Sequence, residues 1–421
     1  MAKAKVLRTP IGTSRRRLLQ AGAALGVLQV TAPFILSARG EATVKMGMVN
    51  PLTGAYAALA RSEVDGAKLA VDQINAKGGI LGRQAELLVE DSANDVGIGV
   101  QKTRKLIDRD EVDFVLGDVN SAIAYAMMGV TNEKKKLHIV PGGHTDPITG
   151  KDCKWNAFRV CNTTAMDANA NSGFLMDKFG KRWYFLVPDY AYGHTLQAAF
   201  EKNLKAAGGT VLGADLVPIG TADYSAYLIK AQQAKPDVLI SVMGGADAVN
   251  SLKQIVQFGL HKQFAVGGGL QELENLLALP NEARIGWWIF EWYWNQPKVP
   301  EVANFVAEIK KRTNAVATAR HWFGFVAVHS IGLVANEVKS LDGVKLAHAL
   351  EGLVLPPEVA LQPGKIFYRP GNHELMASLF AGEAHGATGD PNDLFRIDAV
   401  IPGEKAEGPV EGTGCHLSYP A

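Results

Sequence analysis

The sequence predicts an α/β protein built as two doubly wound lobes, and three observations predict it. Short β-rich runs alternate with amphipathic stretches from residue 43 onward. Alternation of this kind gives a parallel sheet covered by helices on both faces. After a β-rich run ending at Val140, the alternation begins afresh at Trp183. Finally, about 380 residues follow the N-terminal segment, more than one hydrophobic core usually supports.

In the first lobe, 44–49 reads as a strand and 65–75 as a helix, with Ala67, Leu69, Ala70, Val71 and Ile74 on one stripe. Gly78-Gly79 stops that helix. A strand at 85–90, a helix at 97–109, a strand at 112–116, a helix from Ser121 and a strand at 137–140 continue the series. In the second lobe, strands at 183–187, 210–218, 237–242 and 264–266 alternate with helices at 194–207, 224–233 and 246–258. Helical patterns at 300–312 and 319–339 follow. Beyond Pro356-Pro357 the pattern gives way to Gly- and Pro-rich strands and loops, and no repeat or low-complexity segment occurs.

Residues 1–40 do not belong to this pattern. A basic stretch at Arg15-Arg16-Arg17 precedes a small apolar run from Ala21 to Leu36, and Ala38-Arg39-Gly40 offers small residues for cleavage. That is the layout of an export signal, cleaved near Gly40. Ser14-Arg15-Arg16-Arg17-Leu18-Leu19 has the order of a twin-arginine signal; an ordinary secretory signal or an amphipathic surface helix are the alternatives. The apolar run contains Gln29, Thr31 and Pro33 and falls short of the ~20 residues a spanning helix needs. The segment holds seven of the 43 Lys and Arg and none of the 42 Asp and Glu, leaving 36 basic residues against 42 acidic and a net charge of −6. A mildly acidic chain without basic clusters is a poor partner for nucleic acid.

Cysteine is sparse: Cys153, Cys161 and Cys415. In an oxidising compartment, Cys153 and Cys161 are expected to close a short loop, leaving Cys415 unpaired; three separate thiols are the alternative. No Cys/His spacing suggests a metal site, so no metal and no cofactor is expected.

Several motifs then fall in order. Met48-Val49-Asn50-Pro51-Leu52-Thr53-Gly54 opens the first strand–helix turn, followed by Asp65-Gly66-Ala67-Lys68-Leu69-Ala70-Val71. Ile74-Asn75-Ala76-Lys77-Gly78-Gly79-Ile80-Leu81-Gly82-Arg83, Glu90-Asp91-Ser92 and Asp189-Tyr190-Ala191-Tyr192-Gly193 come next. This set resembles the leucine/isoleucine/valine-binding family of type I periplasmic binding proteins, the substrate-binding components of ABC transporters. The resemblance runs from about Val44 to about Gly352. It implies two Rossmann-like lobes joined by three crossovers, placed near 162–165, 293–297 and 350–358. The first lobe would then comprise 41–163 plus 296–352, and the second 164–295 plus 353–421. It also implies a monomer in the periplasm that closes by hinge bending on a small solute and delivers it to an ABC permease in the inner membrane.

Solutes in such sheets bind at the carboxyl ends of strands, against helix N-termini. In the first lobe this selects Leu59 on the lip; Asn120, Ser121 and Ala122 in one turn; and Gly143, His144 and Thr145 in the next. Ser121 is expected to cap its helix and offer its hydroxyl to an anion. The resemblance assigns Ser121 and Thr145 to a ligand carboxylate and Tyr192 to the lid; the plainer reading makes them a cap and a turn residue. In the second lobe Gly245, Asp247, Gly269 and Gln271 end strands facing the cleft. There the sequence departs from the family, whose amino-acid binders carry a carboxylate where this chain has Gly269. Gln271 and Glu272 lie nearby, and Asp247 is a candidate substitute. A buried ammonium without a carboxylate is costly, which argues against an α-amino acid and for an acid with an apolar or aromatic body.

Five of the seven tryptophans are Trp287, Trp288, Trp292, Trp294 and Trp322. If 287–294 is one strand, Trp288, Phe290, Trp292 and Trp294 share a face beside the second crossover. One or two of these rings are expected to touch solute, the rest to pack core and hinge. An enzyme is disfavoured: the ten histidines show no metal spacing, and neither Gly-x-Ser-x-Gly nor a phosphate-binding loop occurs. Two further readings stay open, a sensory subunit reporting to a regulator and a binder of short amides or urea-like solutes.

Overall fold

The computed structural model describes residues 43–297 and 299–420; the export signal and its cleavage point lie outside them. Five parallel strands form the first sheet, in the order β2-β1-β3-β4-β5. They are β1 (Val44–Asn50), β2 (Ala85–Asp91), β3 (Phe114–Gly117), β4 (His138–Val140) and β5 (Ala157–Arg159). Helices α1 (Ala57–Ala76), α2 (Val96–Asp108) and α3 (Ser121–Glu133) connect them. The chain then enters α4 (Thr164–Phe179) and alternates through β6 (Arg182–Pro188), α5 (Ala191–Ala206), β7 (Thr210–Val217), α6 (Ser225–Ala234), β8 (Val238–Ser241), α7 (Gly245–Gln257), β9 (Ala265–Leu270), α8 (Leu273–Leu277) and β10 (Trp287–Phe290). It returns to the first lobe as α9 (Pro300–Thr313), α10 (Ala319–Val338), α11 (Gly343–Leu350) and α12 (Pro357–Ala360). Finally β11 (Leu379–Ala384) and β12 (Phe395–Ile401) extend the second sheet antiparallel, and α13 (Gly403–Glu407) packs on α4. That sheet runs β12-β11-β10-β9-β8-β6-β7. The predicted doubly wound α/β class in two lobes is what the structure has.

Local chemistry explains where the helices start. Asp95 accepts from the Ile98 N–H at 2.8 Å and Thr163 from the Met166 N–H at 2.9 Å, satisfying donors that a helix N-terminus leaves free. At α3 the cap is Asn120, whose Oδ1 accepts from the Ala122 N–H at 2.9 Å, rather than Ser121. Asn120 wins because its carboxamide reaches back over the first turn, which frees the Ser121 hydroxyl.

The first-lobe core is built around α10, which is buried on nearly every side. It meets α1 at paired glycines. A Cβ on Gly66 would stand 1.8 Å from the His321 carbonyl oxygen, and one on Gly324 would stand 1.9 Å from that of Glu63. Only glycine permits that approach, and it sets Glu63 of α1 beside Arg320 of α10. Either alanine substitution would force the helices apart and undo the placement.

Two expectations about the chain path are corrected. Residues 355–377 pack in the first-lobe core through Leu355, Leu361, Tyr368 and Leu375, so the third crossing comes between Ala377 and Leu379, not at 350–358. The apolar side chains simply continue past Pro356-Pro357. Second, the disulfide joins Cys153 to Cys415, with Cα atoms 5.6 Å apart, and Cys161 is a buried free thiol. Cys161 sits in the first-lobe core beyond β5, whereas the tail returns over the loop carrying Cys153. The C-terminus is thus a fourth strap between the lobes.

Candidate functional site

Strand order reverses beside β1 in the first sheet and beside β6 in the second, and a crevice opens outside the carboxyl ends at such points. The two crevices face each other. Between them lies a narrow cavity lined by both lobes. Leu59, Val119 and Ser121 line it from the first lobe, and Tyr190, Tyr192, Met243 and Leu270 from the second. Tyr56, His144, Gly244, Asn275, Glu272 and Arg320 complete the wall.

Ser121 holds the two first-lobe turns together. Its Oγ accepts from the backbone N–H of His144 at 3.0 Å and of Thr145 at 3.2 Å. With both acceptor positions used, the hydroxyl proton is left to donate into the cavity from the first residue of α3, where the helix dipole adds positive potential. His144 Nε2 lies 2.6 Å from Glu291 Oε1, and Glu291 Oε2 accepts from the Asn162 N–H at 2.7 Å. The backbone oxygen of Glu291 accepts from Gln362. Glu291 therefore ties a cavity histidine to Asn162 through its carboxylate and to Gln362 through its backbone, both at the hinge.

Tyrosines make the aromatic wall. Tyr56 and Tyr190 have ring centroids 6.0 Å apart, Tyr190 and Tyr192 5.9 Å, and His144 meets Tyr192 edge-on at 5.9 Å. None of the five clustered tryptophans lines the cavity, which corrects that expectation. The strand ends at Phe290, so the supposed common face is never formed. Trp292 and Trp322 instead donate to the carbonyls of Leu361 and Ala360 at 2.8 and 2.9 Å, as hinge and core packing.

Of the other predicted residues, Thr145 is buried at the edge, with its Oγ1 3.4 Å from the Ala191 carbonyl across the cleft. Asn120 and Ala122 serve the α3 cap, and the Gly143 carbonyl accepts from Arg159. Gly245 takes φ +55° and packs against Ala55, where the Ala246 N–H donates to the Ala55 carbonyl at 3.0 Å from lobe to lobe. Asp247 does not face the cavity: its two oxygens accept from the Gly220 N–H at 3.1 and 3.0 Å. Gly269 points toward Leu196 of α5 and Asp167 of α4. Gln271 accepts from the Glu272 N–H and from Asn275 Nδ2, both at 2.9 Å.

Sequence reasoning noted Glu272 only as a neighbour of Gly269 and missed Arg320 and Glu63. Arg320 donates through Nε and Nη2 to Glu272 Oε1, at 2.8 and 2.5 Å, and through Nη1 to the Gly142 carbonyl at 3.3 Å. Glu63 Oε1 is 3.6 Å from the same Nη1, and Asn50 Nδ2 donates to Glu63 Oε2 at 2.7 Å. Burial pushes the Glu63 carboxyl up to about 7, against the opposing pull of Arg320. Arg320 and Glu63 belong to the first lobe and Glu272 to the second, so this pair spans the cleft. For Arg320 and Glu63 the advance signal was a glycine inside each helical pattern, at Gly66 and Gly324. Among the described residues no group of three or more His, Cys, Asp or Glu could hold a metal.

Comparison with known proteins adds to the geometry. Residues 43–389 match the family model of a periplasmic binding protein. The Leu/Ile/Val-binding protein BraC3 of Rhizobium johnstonii is 29% identical over 248 residues, 58% of this chain and 66% of that one. The crystal structure of a periplasmic binding protein from Burkholderia mallei superposes with a TM-score of 0.83 at 26% identity, covering 89% of this chain and 98% of that one. A solute-binding protein of an ABC transporter from Rhodopseudomonas palustris, in complex with 3,4-dihydroxybenzoic acid, shares the fold at a TM-score of 0.77 and 21% identity, covering 86% and 98%.

Proposed function

The chain belongs to the periplasmic binding protein family, and we propose that it is the substrate-binding component of an ABC importer, closing its two lobes on a small carboxylate solute. The family is one of binding proteins, not enzymes. The observation that carries the reading is the cavity set at both strand-order reversals, with the free Ser121 hydroxyl and three tyrosines in its wall. A carboxylate at Ser121 takes a hydrogen bond and the favourable end of the α3 dipole, while the tyrosine rings cover an apolar or aromatic body. Leu59, His144 and Tyr192 complete the contact set, and Thr145 closes the edge. The placements of Asn120, Ala122, Gly143, Gly245, Asp247, Gly269 and Gln271 favour supporting or interlobe roles for them.

The relatives named for Leu, Ile and Val make branched-chain amino acids one half of the candidate list, and aromatic acids make the other. Delivery is to a permease of the inner membrane, with the protein acting as a monomer in the periplasm. The arginine-rich leader at 1–40 would be the twin-arginine address, removed near Gly40. A thermal-shift screen of the purified protein tests this reading against leucine, isoleucine, benzoate, 4-hydroxybenzoate and short amides. A solute with micromolar affinity at millimolar concentration adds roughly 4 kcal/mol to stability, and the carboxylates should supply the hits. A response to amides alone would refute the carboxylate assignment.

A further inference from the structure

Resting on that reading of Ser121 as the carboxylate site, we propose that Glu272 is the second specificity-determining residue of the cavity. Held by Arg320, it accepts a hydrogen bond from a neutral O–H or N–H on the solute, so the preferred solutes are monocarboxylates bearing such a donor rather than α-amino acids.

Glu272 precedes α8 and is 3% exposed in the cavity wall. Both of its bonds from Arg320 fall on Oε1. Its Oε2 is buried without a protein partner. A buried acceptor left unbonded keeps the cost of its desolvation without the return of a bond, so such an atom calls for a donor. Polar groups of Ser121, Asn275 and the tyrosines also line the cavity, but none of them bonds to Oε2. A donor on the solute would satisfy it.

Charge decides which donor. Arg320 already neutralises Glu272, and Glu63 stands behind the guanidinium. A second anionic group on the solute would meet the Glu272 carboxylate. An ammonium would stand beside the guanidinium on that one carboxylate, in a wall with little water, while Glu63, pushed up to about 7 by burial, falls short of the full charge that would balance it. A phenol, alcohol or amide N–H satisfies Oε2 without altering that balance. Because the pair joins opposite lobes, Glu272 takes up this position only as the cleft shuts. Selection of the donor and closure are one event.

The test is calorimetric titration of the purified protein with matched solutes: benzoate against 4-hydroxybenzoate, and leucine against 2-hydroxy-4-methylpentanoate and 4-methylpentanoate. The hydroxy acid of each series should bind at least about tenfold tighter than its unsubstituted partner, and tighter than the amino acid. Glu272→Ala should erase that advantage. The same substitution frees Arg320 and should let the site take a dicarboxylate such as terephthalate, a gain that misfolding cannot imitate. Equal binding of benzoate and 4-hydroxybenzoate to the unaltered protein would overturn the proposal while leaving the carboxylate reading intact. Leucine binding best, with loss on Glu272→Ala, would overturn the neutral-donor class and make Glu272 an ammonium partner. Binding by none of these acids would overturn both readings.

Discussion

Two of the buried arginines, Arg159 and Arg320, each lie against a glutamate, and their surroundings differ. Arg159, at the end of β5, is fully enclosed. It donates through Nε to Glu374 at 2.7 Å, through Nη1 to the Thr145 carbonyl at 2.7 Å, and through Nη2 to Thr149. Each of its nitrogens is engaged, and each partner belongs to the first-lobe framework or the hinge. Arg320 has its partners on both sides of the cleft, one of them with a spare oxygen. The same ion pair thus serves two ends. Where all partners move together it fixes a framework, and where they separate it can register closure.

Substituting each arginine should break the symmetry between them. Arg159→Met leaves Glu374 buried and unpaired, at a cost on the order of 3–5 kcal/mol, read as a large fall in denaturation midpoint without solute. The pH dependence of Glu63 comes next. Its folded value, near 7, lies above the unfolded value, so the folded state binds the extra proton between about pH 4.5 and 7. Stability therefore falls as pH rises through that window, by on the order of 2–3 kcal/mol. Glu63→Gln should flatten the melting-temperature profile there; an unchanged slope would place the titration elsewhere. Arg320→Met should weaken binding of the best solute by about 10- to 100-fold, in line with 1.4 kcal/mol per decade. It should lower the melting temperature of the free protein less than Arg159→Met does, because an open cleft leaves Glu272 hydrated and Glu63, already raised to about 7, can take a proton. A fall as large as that of Arg159→Met would erase the distinction. Ser121→Ala should cost about tenfold in affinity for a carboxylate, the worth of one charge-assisted hydrogen bond. Thr145→Ala should cost least, under about threefold, since its hydroxyl makes only contacts of 3.4 and 3.3 Å, to Ala191 and Thr195.

What could be read from the sequence follows the same division. Elements whose evidence is local were legible: the stripe of α1, the β-rich run of β1 and the strand-end turns that carry Ser121, His144 and Tyr192. Arg320 and Glu272 were not, because their meaning arises from a contact between segments 48 residues apart. Nothing in the helical pattern of α10 singles out an arginine that faces a cavity. The tryptophan cluster misled because composition was taken for placement. Trp292 and Trp322 lie close to the cleft in sequence but face Leu361 and Ala360. The cysteines show the same limit, since nearness in sequence favoured Cys153 with Cys161 while the fold returned Cys415 from 262 residues away.

That last bond shapes how the molecule is made. The span from Cys153 to Cys415 takes in every strand of the second sheet, together with first-lobe helices α9 to α12, so both pieces of the second lobe lie within a loop closed on the first. Synthesis runs from β1 outward, and the first lobe is begun earliest yet sealed last, once Cys415 has been made and joined to Cys153. Once sealed, a single protease cut anywhere in the second lobe yields two fragments that remain one molecule until a reductant parts them.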